Sequence, residues 1–183
     1  MRGVRRLGDP RCWGAVVGAV GASVFVHANR VELPTAASTG AVVLWMGALV
    51  LFVWAVFVRP RRFALLRPPP RSAGLVYFLS VAGMLALIQL GQMVLKAGGH
   101  TAVAPGLIVL AVGLHLLPFA RAFDTPMFTR LGLVMTVLGV VGLGLGLWWT
   151  PTATAAVAVL TGLTMLVVIS DDALRDRPQP ALR

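Results

Sequence analysis

The stretch Arg59-Pro-Arg-Arg-Phe-Ala-Leu-Leu-Arg-Pro-Pro-Pro-Arg71 decides the fold of this chain. It carries five arginines and four prolines and separates two long apolar runs, 35–58 and 72–95. Arginine at this density stays out of hydrocarbon, because a buried charge in lipid is costly. Three consecutive prolines, Pro68 to Pro70, impose an extended backbone and block a helix. The segment therefore belongs at a membrane surface. Two readings stand: a stiff strap on the inner headgroups, or a docking site for a cytoplasmic partner.

Working outward, four further apolar runs cover 12–28, 102–119, 127–149 and 150–170. About 20 helical residues cross a hydrocarbon core about 30 Å thick. Of the 183 residues, 58% are apolar and only 12% charged. A soluble domain carries about a quarter charged residues, so lipid has to cover much of this surface. The expected fold class is all-α: a polytopic membrane protein with six transmembrane helices. It forms one integral membrane domain over 1–183, with 171–183 as a cytoplasmic tail.

The basic residues orient the spans. Arg2, Arg5, Arg6 and Arg11 precede the first, and Arg121 and Arg130 bracket the turn between the fourth and fifth. Arg175, Arg177 and Arg183 lie in the tail. With six spans, fourteen of the sixteen basic residues share one side, and only Arg30 and Lys96 lie on the other. The positive-inside rule then places both termini in the cytoplasm. Trp148 and Trp149 fall at the outer interface, where amphipathic rings are favoured. The first run ends Val26-His27-Ala28, which fits a signal-peptide cleavage site. Cleavage would leave five spans and scramble the charge count, so an uncleaved first helix is expected.

The net charge of +10 raises nucleic-acid binding. The charges sit in short stretches between apolar runs, without a basic face interleaved with aromatics, so that class is set aside. The partner implied is a bilayer with anionic headgroups, at about 1 kcal/mol per nearby Lys or Arg. Fifteen of the sixteen basic residues are Arg, a bias that suits a GC-rich bacterial genome and hence a bacterial inner membrane. The single Cys12 excludes an internal disulfide and a Cys-based metal cluster.

A shift of 92 residues aligns the chain with itself. Gly14 meets Gly106, Gly21 meets Gly113, Pro34 meets Pro126, Gly40 meets Gly132 and Gly47 meets Gly139. Ten identities fall in the 34 positions 14–47. Halves of three spans each have opposite orientation, so the expectation is two inverted three-helix repeats, as in many transporters. The alternative is chance matching among Gly, Ala and Val.

Polar groups inside lipid ask for a partner or a purpose. At 1.5 Å per residue, His115 lies about 7 Å inside the cytoplasmic end of its span, and Tyr77 and Thr164 come out at similar depth. Arg130 is slightly shallower. These four define a possible inner-leaflet site: His115 titrating, Tyr77 and Thr164 hydrogen-bonding, Arg130 holding an anion. Pro118 frees the carbonyl of Leu114 beside His115. That irregularity could line a cavity. The alternative is a neutral His115 bonded to a backbone carbonyl, with Tyr77 and Arg130 snorkelling. Gln89 and Gln92, three apart, share a helix face. With His27, Glu32, Lys96 and His100 they define an outer polar cluster, or else serve as interhelical glue. Gly14-x-x-x-Gly18 and Gly142-x-x-x-Gly146 permit close helix approach, within the chain or in a homo-oligomer.

The sequence lacks Gly-x-Ser-x-Gly, His-Glu-x-x-His and Walker A patterns. His27 and His115 lie near opposite faces, which disfavours a shared haem, and span interiors hold no acid for a proton relay. No cofactor or metal is expected. Asp171, Asp172 and Asp176 are expected in the exposed tail. The stretch Val112-Gly-Leu-His-Leu-Leu-Pro-Phe-Ala-Arg121 resembles a pattern in small bacterial multi-span integral membrane proteins of uncharacterised function. That resemblance implies a membrane fold and brings no catalytic residue. The leading expectation is a permease or channel-like protein for an unidentified small solute. The competing ones are a non-catalytic accessory or scaffold protein, and a membrane enzyme acting on lipid headgroups.

Overall fold

The computed structural model describes residues 10–59, 70–123 and 125–175. Among them there is no strand, and six helices are long and apolar enough to cross a membrane. They are α1 (Pro10–Asn29), α2 (Thr35–Val53), α3 (Ala73–Ala97), α4 (Ala104–Ala122), α5 (Pro126–Trp148) and α6 (Pro151–Arg175). Helix α2 continues through a π-helical turn at Trp54–Val58, and 3-10 turns at Arg30–Glu32 and Thr101–Val103 lead into α2 and α4. Arginines 2, 5 and 6, most of the basic proline segment and the tail beyond 175 lie outside the described residues, as do the strap and docking readings.

Proline marks where helices begin. Pro10, Pro126 and Pro151 are first helical residues, where the absent N–H has no intrahelical partner to lose. Pro118 lies inside α4, and the helix runs unbroken through it. One missing bond close to the helix end is tolerated with α3 and α5 packed alongside. Helix α6 also outruns its expected end at 170. Asp171 and Asp172 lie in its last turns rather than in a tail, and Asp171 pairs with Arg175 at 2.7 Å. An acid and an arginine four apart support the helix that carries them.

Helix α6 is the centre of the bundle. It packs on α1, α2, α4 and α5, whereas α3 packs on α4 and the turn leading into it. Buried residues make up 56% of the most apolar stretch of the α6 span and 6% of that of the α3 span. Gly18 of α1 faces Ile169, Gly21 faces Met165 and Gly162 lies against the carbonyl of Ala22, so α1 and α6 run antiparallel. The Arg59 guanidinium donates to the Leu174 carbonyl at 3.1 Å, joining the end of α2 to the end of α6. At the opposite end, Val103 and Thr154 both lie against Gly146. The turns at 30–34, 98–103 and 149–150 therefore share one rim. Residues 59, 123, 125 and 175 share the other.

The tightest seam joins α4 to α5. Gly106, Gly113 and Ala120 recur every seven residues on α4, as Gly132, Gly139 and Gly146 do on α5, and all six are buried. A seven-residue repeat keeps one stripe facing its partner at a shallow left-handed crossing. A methyl group at Gly106 would lie 2.8 Å from the Leu143 nitrogen, and one at Gly113 2.5 Å from the Thr136 nitrogen. Only glycine admits backbones this close. Thr154 of α6 adds a buried hydrogen bond to the Gly142 carbonyl of α5, at 2.7 Å.

The 92-residue offset is matched only in part by this packing. Gly40 and Gly47 match the seam glycines Gly132 and Gly139, yet a methyl group at either would meet nothing within 4 Å. Repeat symmetry exchanges α1 with α4 and α3 with α6, so the α1–α6 and α3–α4 contacts correspond, whereas the close α4–α5 seam has only a sparse α1–α2 counterpart. The glycine pairs of α1 and α5 face inward: Gly14 meets Phe128, Gly18 meets Ile169, and Gly142 and Gly146 meet Val157 and Thr154.

Candidate functional site

Two polar constellations lie among the helices. The first is on the α3–α4 seam. His115 is half-buried, and its Nδ1 lies 3.1 Å from Ser80 Oγ. Ser80 donates its hydroxyl proton to the Tyr77 carbonyl at 2.9 Å. A hydroxyl has one proton, so Ser80 accepts from His115, and Nδ1 carries the hydrogen. The order is His115 N–H to Ser80 O–H to the Tyr77 carbonyl. Beneath this chain lies Phe119, whose ring centre is 6.3 Å from that of His115 and 5.8 Å from that of Tyr77. Phe123 and Phe128 complete the cluster at 4.5 and 4.9 Å from Phe119.

Of the four residues expected at the inner site, Tyr77 and His115 lie close together. Thr164 and Arg130 lie elsewhere. The Thr164 hydroxyl donates to the Leu160 carbonyl of its own helix, on α6, away from the α3–α4 seam. Arg130 lines a hollow of about 360 Å3 at the α4–α5 turn, with Arg121, Thr125 and Thr129. Phe128 faces Phe119, and two residues further along a helix the side chain points nearly the opposite way, so Arg130 turns from the cluster. Ser80 was missed. Its signal was present: it follows Tyr77 by three residues on one helical face, at the depth of His115.

The pair is a hydrogen-bonded clasp between two helices. An activated serine would give its proton to the imidazole. Here that proton goes to a backbone carbonyl.

The second constellation joins α1 to α2. Trp45 donates its indole N–H to Ser23 Oγ at 3.0 Å, and Ser23 donates to the Ala19 carbonyl at 2.8 Å. The His27 ring packs edge-on against Trp45, with centres 4.5 Å apart. Arg30 donates from Nε to His27 Nδ1 at 3.2 Å and from a terminal nitrogen to Ser38 Oγ at 3.4 Å. Val16, Val20 and Val24 of α1 and Leu49 and Phe52 of α2 line a laterally open cleft of about 360 Å3, with Ala19, Ser23 and His27.

The expected outer cluster is divided between two places. His27 belongs to the α1–α2 network. Gln89, Gln92 and Lys96 lie on exposed α3, with Glu32 and His100 exposed on turns of the same rim. Compared with known protein families, curated proteins and solved structures, the chain matches none.

Proposed function

We propose that this chain is a non-catalytic scaffold of the bacterial inner membrane, with both termini cytoplasmic, whose working surface is the outward face of α3. The observation that carries this reading is the placement of Gln89 and Gln92. Both are exposed, and neither has a hydrogen-bond partner among the described residues. Gly91 lies against Leu107 of α4, so Gln89, two residues before it, points away from the bundle. Gln89 is about 12 Å from the α3 end at Ala97, well within the hydrocarbon. An amide left without a partner in lipid costs several kcal/mol, so this face calls for another helix.

The partner that fits is a second copy. Copies in one bilayer share an orientation, so a two-fold axis along the membrane normal sets each α3 residue against itself at equal depth. Glutamine both donates and accepts, and so can pair with its own image. Permeation, the leading sequence expectation, gains less support. The buried hydroxyls of central α6, on Thr154, Thr161 and Ser170, all donate to backbone carbonyls, and the adjoining α4–α5 seam is closed by glycine contact.

Analytical ultracentrifugation in density-matched detergent tests the reading. The wild type should self-associate, and Gln89→Leu with Gln92→Leu should shift it toward monomer by about three- to eighteenfold for each interhelical bond lost, given ~0.6–1.7 kcal/mol per bond. A strictly monomeric wild type, or a double variant that associates like wild type, refutes the α3 interface.

A further inference from the structure

The α1–α2 cleft has the dimensions and charge of a lipid site, and this inference is independent of the α3 face. Both helices lean on α6 and meet each other sparsely, so the cleft is held open from behind. From Val16 to His27 it runs about 16 Å along α1, about half of a 30 Å hydrocarbon core. Its length is that of one leaflet.

Its walls are chemically quiet. Ser23 accepts from Trp45 and donates to Ala19, which leaves aliphatic and aromatic carbon to meet a ligand. Its mouth is not. Arg30 stands at the rim, gripped through Nε by His27 and through a terminal nitrogen by Ser38. Neither partner is a carboxylate, and Arg30 has no ion pair among the described residues. The guanidinium keeps its full positive charge and further N–H groups while its position is fixed. With Nδ1 accepting from Arg30, the other His27 ring nitrogen is left for a ligand.

We infer that the cleft binds one phospholipid: an acyl chain lies between α1 and α2, and the phosphate sits on Arg30 and His27. Charge complementarity selects the phosphate, and the apolar trough below selects the chain. Binding one lipid in a groove differs from general attraction to an anionic surface, since it depends on one arginine of the rim and on room for the chain.

The test is native mass spectrometry of the detergent-purified full chain, titrated with palmitoyl-oleoyl phosphatidylglycerol. Arg30→Gln should weaken the first bound lipid roughly fivefold, while Arg30→Lys, which keeps the charge, stays within about twofold. Val20 lines the cleft and is exposed, so Val20→Trp fills the groove without entering the core and should abolish that lipid. Arg71→Gln, on the opposite rim, should bind as wild type. Diacylglycerol with the same chains should bind as weakly as phosphatidylglycerol does to Arg30→Gln, and millimolar inorganic phosphate should not compete. Equal losses in the Arg30→Gln and Arg71→Gln variants, retention by Val20→Trp, loss in Arg30→Lys, or competition by inorganic phosphate each overturns the assignment.

Discussion

Ser80 Oγ lies 3.1 Å from His115 Nδ1 across the α3–α4 seam, and Ser80 passes its own proton to the Tyr77 carbonyl. The bond ties the outermost helix to the bundle through a group that would otherwise stand unsatisfied in lipid. Its energy should therefore appear as a coupling between the two residues. In a Ser80→Ala, His115→Leu double-mutant cycle, unfolding in mixed micelles should give about 0.6–1.7 kcal/mol of interaction. A coupling near zero would show that the two side chains do not meet in the folded protein.

The glycine seam makes a sharper forecast, because two glycines matched by the 92-residue offset are not matched in space. Gly139 lies against the Leu110 backbone, while Gly47 has open space around it. Gly139→Ala should destabilise the bundle by about 1–3 kcal/mol through overpacking. Gly47→Ala should be neutral or stabilising by up to about 1 kcal/mol, from helix propensity. Thermal unfolding of both variants in one detergent checks the pair.

Thr154 joins α6 to α5 through a fully buried hydrogen bond to Gly142. Thr154→Val keeps the shape and removes the donor, and should cost on the order of 1 kcal/mol. Thr154→Ser should recover most of that. If valine and serine melt alike, the hydroxyl contributes nothing and packing alone accounts for the position.

The rims can be tested for sidedness. In a Cys12→Ser background, His100→Cys on the lightly charged rim should react with a membrane-impermeant maleimide added to intact cells. Arg71→Cys on the opposite rim should react only after lysis. The reverse pattern would invert the orientation read from the arginines.

The six helices were legible because length and apolarity are properties of segments, and lipid imposes them on each helix separately. The α6 overrun was less so: Asp171 ends an apolar run, yet its pairing with Arg175 one turn later continues the helix. Depth arithmetic brought Tyr77 and His115 to one level, and they do lie together around Phe119. It could not separate Thr164 or Arg130 from them, because depth is one coordinate of three and the other two depend on which helices are neighbours. Helix adjacency is what the sequence withheld. Gly106 and Gly132 carry the seven-residue rhythm of a seam, but Gly40 is an equally good glycine facing nothing. The repeat was read from identity between residues, whereas packing depends on what each residue meets.

The central place of α6 bears on how the protein is made. The ribosome delivers α1 first and α6 last, yet α1 takes its main cover from α6. Until the final segment enters the bilayer, the first helix has only a sparse contact with α2, and its small residues face lipid instead of Met165 and Ile169. The α4–α5 hairpin needs no such wait, since its glycine stripes close on each other as soon as both are inserted. Any chain that stops before 151 lacks the helix on which α1 chiefly packs.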